Sequence, residues 1–164
     1  MGKNIGIVAF AFGVPDTIRS NWLLAQIASE KARGYGVPVY TQLDIRIQPG
    51  IEVEHTPEGS GSPPPTLRIA RGAVKWAQRK GFRALWIVAA KPHIWRAQRD
   101  VERAVRESGA QIEVYVLREM EEYSENYWYC PDSTQERVRS REAWNKRERI
   151  LKFMPFFIYK RIAS

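Results

Sequence analysis

The chain is expected to fold as one α/β domain of the Rossmann-like kind, three layers thick around a mainly parallel sheet of four or more strands. Three observations carry that expectation. Short apolar runs alternate along the chain with segments of helical periodicity. The two strongest runs, Ile5 to Phe10 and Ala84 to Ala89, are continuously apolar, as strands buried on both faces must be. Glycines stand where the helical segments end, at Gly34 and Gly36, at Gly81 and at Gly109.

The elements follow in order. After the first strand, Val14-Pro15-Asp16-Thr17 breaks the chain and offers Asp16 as a helix N-cap. A helix is predicted from about Thr17 to Arg33, with Ile18, Trp22, Ala25 and Ala28 on one stripe, and Val37 to Thr41 as a second strand. Residues 42–65 interrupt the alternation. Ile45 to Gln48 and Ile51 to Glu54 alternate apolar and polar residues around Pro49-Gly50, a type II turn signal, so a small hairpin insertion is expected. Residues 56–65, with Gly-Ser-Gly-Ser-Pro-Pro-Pro, have the composition of a linker. A second helix from Thr66 to Lys80 turns Ile69, Ala73, Trp76 and Ala77 inward, and a third strand follows at Ala84 to Ala89. Pro92 opens a third helix carrying Ile94, Ala97, Val101, Ala104 and Val105, and Gln111 to Leu117 forms a fourth strand. Three strand-helix crossovers in succession predict a parallel sheet of order 2-1-3-4. The ligand crevice of such a sheet lies between the carboxyl ends of the first and third strands.

Composition narrows the function classes. The 164 residues suit a single domain, residues 1–164, and 44% of them are apolar, enough for a real core. No run approaches the roughly 20 apolar residues of a membrane-spanning helix, and the run Ile5 to Phe12 leads into a turn rather than a signal cleavage site. With Cys130 as the single cysteine, a cytoplasmic location is expected and an intrachain disulfide is excluded. Two histidines and one cysteine make no zinc pattern, so no metal site is expected. Gly-x-Gly-x-x-Gly, P-loop and Gly-x-Ser-x-Gly motifs are all missing.

Candidate chemistry gathers at the two loops that meet in the crevice. Lys91, His93 and Arg96 place a fixed charge, a titratable imidazole and a guanidinium at the start of the third helix, where an anion is favoured. Lys91 and Arg96 are candidate anion-binding residues, and His93 is the candidate general acid or base. The plain alternative is a solvated helix start. In the facing loop, Gly13 would let a ligand approach the backbone and Asp16 would orient it, or serve as a cap alone. Thr66 joins them if the linker folds back. His55 and Cys130 read as surface and core residues respectively.

The net charge is +8, and most of the excess lies in residues 133–164, a basic aromatic extension with nine Lys or Arg against three Glu between Glu136 and Arg161. Such a tail suits nucleic acid, a membrane surface or a partner protein, or else its last apolar run covers the sheet. Glu119 to Tyr129, acidic and aromatic, is expected to clasp the basic tail rather than close as a lid.

The strand Leu85 to Ala89, followed by His93-x-x-Arg96, a helix and a short strand, resembles the SanA/YdcF-like bacterial domain of unknown function. Members carry a Thr-Ser pair before the His-x-x-Arg; Ala89-Ala90-Lys91-Pro92 stands there in this chain. Of the family's upstream Asn-Thr-x-Glu-Asn only Thr66 matches, and its early Gly-Gly is reduced to Gly13. The resemblance implies a Rossmann-like fold and a site around the matching His and Arg. It also implies links to envelope biology or S-adenosylmethionine in some members.

Two functional readings follow. One is a domain that binds a small anionic or nucleotide-like ligand, with His-assisted transfer or hydrolysis if it is an enzyme; its cofactor is unspecified. The other is a non-enzymatic module whose tail binds nucleic acid or a protein partner. Removing the residues after Ser133 separates them, because a detachable tail leaves a folded body behind and a core tail does not.

Overall fold

A computed structural model describes residues 4–164. Five strands, β1 (Ile5–Ala9), β2 (Val39–Thr41), β3 (Val53–His55), β4 (Ala84–Val88) and β5 (Glu113–Val116), form one sheet of order β3-β2-β1-β4-β5. Every pairing in it is parallel. Strand alternation sorts the core into two faces. Ile7, Ala9 and Val88 pack under helix α1 (Arg19–Tyr35). Val8, Phe10, Leu85 and Ile87 pack under α2 (Thr66–Lys80) and α3 (Ile94–Ser108). The result is a three-layer, Rossmann-like α/β domain. The expected order of the four predicted strands holds as β2-β1-β4-β5, and the winding reverses between β1 and β4.

The helix ends follow local chemistry. Gly36, Gly81 and Gly109 each close a helix in the left-handed conformation that favours glycine. Gly6 has a different purpose: a Cβ there would lie 2.6 Å from the Trp76 ring, so β1 and α2 approach as closely as they do because position 6 has no side chain.

Several expectations are corrected. Residues 42–65 contain no hairpin: residues 45–48 are not a strand, and β3 runs parallel to β2 as the edge of the sheet. The alternating isoleucines pack a loop instead, with Ile45 buried and Ile47 and Ile51 resting on the α1-side core. Asp16 is not an N-cap, because α1 begins at Arg19 after an extended Ile18 with no side-chain cap, and Asp16 pairs with Arg46. Trp22 is 60% exposed, since the inward stripe of α1 runs through Leu23, Leu24, Ile27 and Ala28.

The last third of the chain is part of the body. Residues 119–129 fold as 3-10 turns that bury Met120, Trp128 and Tyr129 in the α1-side core. Arg19 donates to the carbonyls of Tyr127 (2.7 Å) and Tyr129 (3.1 Å), and Lys31 pairs with Glu119. This segment therefore clasps α1 chiefly, with one tie to the tail, Glu125 to Arg141 at 3.3 Å. Cys130 is a buried free thiol. Two further helices, α4 (Arg141–Phe153) and α5 (Phe156–Ala163), are separated by Pro155, and Ser140 caps the first by accepting from the Ala143 N–H at 3.2 Å. The final apolar run was expected to cover the sheet; instead its buried members, Leu151 and Tyr159, join Leu67 and Ala163 in a separate cluster over the first turn of α2. The Tyr159 hydroxyl donates to Asp100, a fully buried carboxylate on α3 that Arg99 also holds at 2.8 Å.

Two outcomes follow for stability. Gly6→Ala should cost about 1–3 kcal/mol by overpacking against Trp76, read as a lower midpoint in urea unfolding. Truncation after Ser133 removes buried Trp144, Leu151 and Tyr159. The shortened chain should lose its sharp thermal transition; a cooperative transition like that of the full chain would show the tail to be detachable.

Candidate functional site

The loop after β1 is held rigidly by side chains that take up its backbone groups. Asn21, in the first turn of α1, accepts from the Phe12 N–H (2.8 Å) and donates to the carbonyls of Gly13 (2.8 Å) and Pro15 (3.0 Å). Gln42, just past β2, accepts from the Ala11 N–H at 2.9 Å. Ser133 donates to the Val14 carbonyl at 2.9 Å and so joins the tail to this loop. Gly13 has φ +93°, and a Cβ there would lie 2.5 Å from the Val138 side chain. Its lack of a side chain thus serves close packing against the tail as well as backbone conformation.

Across the crevice, β4 passes through a 3-10 turn, Lys91–His93, into α3. His93 is 5% exposed, and the rings of Phe10, Phe12 and Trp144 surround its imidazole at centroid distances of 5.8, 6.4 and 5.7 Å. Its Nε2 lies 3.2 Å from the Thr66 hydroxyl, and its Nδ1 is buried without a partner. The Thr66 oxygen also accepts from Arg96 Nη1 at 3.2 Å. Arg96 Nε lies 3.0 Å from a Glu148 carboxylate oxygen, close enough for an ion pair but not aligned as a hydrogen bond. Thr66 reaches the imidazole because the chain from Pro63 to Pro65 bends back over the crevice, so the expected linker is a wall of the site.

These groups border a cavity of about 210 Å³ between the strand ends and the tail. Arg137, beside the Val138 that packs on Gly13, and Arg147, on α4, reach it from the tail side. Among the described residues neither makes a hydrogen bond or an ion pair, although both are half-buried. Burial, with Arg147 and Arg96 nearby, lowers the Arg137 guanidinium to about 10. Burial and Arg96 lower Arg147 as well. Glu148 is pushed the other way: burial raises its carboxyl, while Arg96 and Arg147 partly counter that. His93 is held well below its ordinary value, first by burial and then by Arg96, Arg137 and Arg147. The site therefore presents three guanidiniums, one carboxylate and a neutral imidazole.

Of the residues singled out from the sequence, Gly13, Thr66, His93 and Arg96 line this one cavity. Asp16 and Lys91 do not; Lys91 is exposed on the outer side of its turn and Asp16 faces Arg46. His55 is exposed at the end of β3. Sequence reasoning passed over Arg147 and Trp144. The signal was there: Trp144, Arg147, Glu148 and Leu151 follow helical spacing on one face of α4, so the charged pair stands on the stripe that two buried apolar residues define. No cluster of three or more His, Cys, Asp or Glu that could hold a metal exists among the described residues. Nor is any helix among them long and apolar enough to cross a membrane.

No family model matches the chain, and no curated protein is similar to it. Among solved structures it is similar to the universal stress protein from Archaeoglobus fulgidus in complex with dAMP, at 21% identity and a TM-score of 0.35, over 68% of this chain and 96% of that one. A second structure of universal stress protein from the same organism gives 21% identity and a TM-score of 0.35 over 68% of this chain and 92% of that one. A likeness of this size does not bear on what this chain binds.

The depressed imidazole makes stability pH-dependent. Folded His93 holds a proton more weakly than unfolded histidine, whose value is about 6.5, so acidification favours the unfolded chain. The contribution is complete above that value and lost as pH falls through and below it. Asp100 and Glu148, raised by burial, act with the opposite sign, so the comparison must be made against a variant. Between about pH 7.5 and 5.5, the wild-type melting temperature should fall further than that of His93→Gln; parallel curves would contradict a buried neutral imidazole.

Proposed function

We propose that the chain binds a small anion bearing a phosphate-like, dianionic group in the crevice at the carboxyl ends of β1 and β4. The observation that carries this is the pair of half-buried guanidiniums, Arg137 and Arg147, which have no hydrogen-bond or ion-pair partner among the described residues and stand beside Arg96. Taking a charge out of water is costly unless something compensates it. One carboxylate, Glu148, cannot neutralise three arginines, and a dianion would supply the missing charge with hydrogen bonds matched to the guanidinium fork.

The walls suggest the rest of the ligand. Phe12 and Trp144 offer aromatic faces beside the arginines, which suits a flat or sugar-like body and keeps the ligand nucleotide-like in class. At about 210 Å³ the cavity is smaller than the roughly 300–1,000 Å³ of drug-sized sites, which favours a compact phosphate ester over a dinucleotide. S-adenosylmethionine fits poorly, because its sulfonium would face three guanidiniums. His93, neutral at physiological pH, is suited to act as a general base, with Thr66 between it and Arg96 to orient a hydroxyl or water. The resemblance to SanA/YdcF-like domains enters this reading through the same residues. Gly13, Thr66, His93 and Arg96, on which it rests, border one cavity, and that co-location supports it.

The alternative of an interaction module with a detachable tail is weaker, since the tail supplies Arg137, Trp144 and Arg147 to the cavity itself. The test is calorimetric titration with inorganic phosphate, pyrophosphate, ribose 5-phosphate and AMP. Arg137→Ala and Arg147→Ala should each weaken a phosphate-bearing ligand by about 10–100-fold while keeping the circular dichroism spectrum, and Lys91→Ala should bind like wild type. Equal binding by wild type and both arginine variants would remove the proposal.

A further inference from the structure

The outer surface of the tail has a separate character. Of the ten large hydrophobic residues exposed among the described residues, four, Ile150, Phe153, Phe157 and Ile158, fall within the nine positions 150–158 and do not border the cavity, which Ile162 does. That is a patch rather than the scattered exposure expected of a soluble surface. Phe153 and Phe157 are the most exposed, at 83% and 69%, and they flank the Met154-Pro155 elbow where α4 gives way to α5. Trp95 on α3 stands near this patch, with the Lys152 ammonium 4.9 Å from its ring centroid. The charges interleaved with these side chains are of one sign. Lys146, Arg149, Lys152, Lys160 and Arg161 are all exposed, while Glu148, the one acid between Lys146 and Ile162, is directed at Arg96.

We infer that the α4–α5 elbow docks on an anionic phospholipid bilayer. A protruding pair of phenylalanines is shaped to enter the acyl boundary rather than to receive a partner. Lys and Arg around it match the negative surface of such a membrane. The aliphatic share of the patch argues against single-stranded nucleic acid, because Ile150 and Ile158 have no ring on which a base could stack. The geometry is that of lying on a membrane, not crossing it, since α4 and α5 have 13 and 8 residues. This inference is independent of the anion proposal: Phe153 and Phe157 do not line the cavity.

The experiment is co-sedimentation of the full chain with vesicles of phosphatidylcholine alone or with roughly three parts in ten phosphatidylglycerol, at low and high salt. The chain should pellet with the mixed vesicles, weakly with the neutral ones, and less as salt rises. Phe153→Ser and Phe157→Ser should each lower vesicle affinity by about tenfold or more, with unchanged melting temperature and unchanged phosphate titration. Fluorescence quenching by brominated lipid should be smaller in Trp95→Phe than in wild type. Failure to bind the anionic vesicles at low salt would overturn the inference, as would full binding by the Phe153→Ser/Phe157→Ser double variant. It would equally be overturned if gel filtration showed a dimer that the double variant converts to monomer, or if short RNA bound through the same two phenylalanines.

Discussion

The Trp144 indole joins the parts of the molecule that make up its site. It is buried in the tail helix α4, and its Nε1–H donates to the Pro92 carbonyl at 3.2 Å, in the turn after β4. Its ring lies 4.7 Å from that of Phe12, in the loop after β1, and the Arg96 guanidinium lies 5.4 Å from its centroid. One side chain thus ties α4 to both loops of the topological switch point. A parallel sheet leaves its strand ends as an open crevice, and here the chain's own last third closes it. Burial of His93, the reach of Arg137 and Arg147, and the enclosure of the cavity all depend on that closure.

Closure makes the electrostatics severe. Guanidiniums at a solvated strand end would be screened and unperturbed. Enclosed between the tail and the strand ends, Arg137 and Arg147 are lowered, first by burial and then by the Arg96 charge among others. Burial together with the three guanidiniums depresses the imidazole beside them. Asp100 and Glu148 meet the same desolvation with different outcomes. Asp100 is satisfied by Arg99 and Tyr159, a structural anchor for α5 on α3. Glu148 faces a surplus of positive charge that the protein itself leaves uncompensated. That imbalance sets the cluster apart from an internal salt bridge, in which the charges would cancel.

Much of the fold was legible because it rests on local chemistry. Continuous apolar runs mark the central strands β1 and β4, and the glycines after α1, α2 and α3 each take the conformation a helix terminus requires. The misreadings came where an apolar side chain was assigned to regular structure although a loop buried it. Ile45, Ile47 and Ile51 alternate like a hairpin, yet they pack irregular chain against α1 while β3 joins the sheet edge in parallel. Ala25 and Ala28 of the predicted stripe are buried, but Trp22 followed the spacing from Ile18, which lies outside the helix, and points outward while Leu23, Leu24 and Ile27 complete the inner face.

The candidate site divides along the same line. The sequence alone determined that the ends of β1 and β4 would meet, and that His93 and Arg96, one turn apart, would share the crevice with Gly13 and, once the Pro-rich segment bent back, Thr66. Helix and strand periodicity decide such neighbours within and between adjacent elements. Only the tertiary structure decided which distant charges join them. Arg137 and Arg147 reach the cavity because the tail folds back more than forty residues along the chain onto the crevice, while Asp16 pairs with Arg46 and Lys91 lies exposed. That contact is a matter of packing between elements far apart in sequence, and no local pattern of residues specifies it.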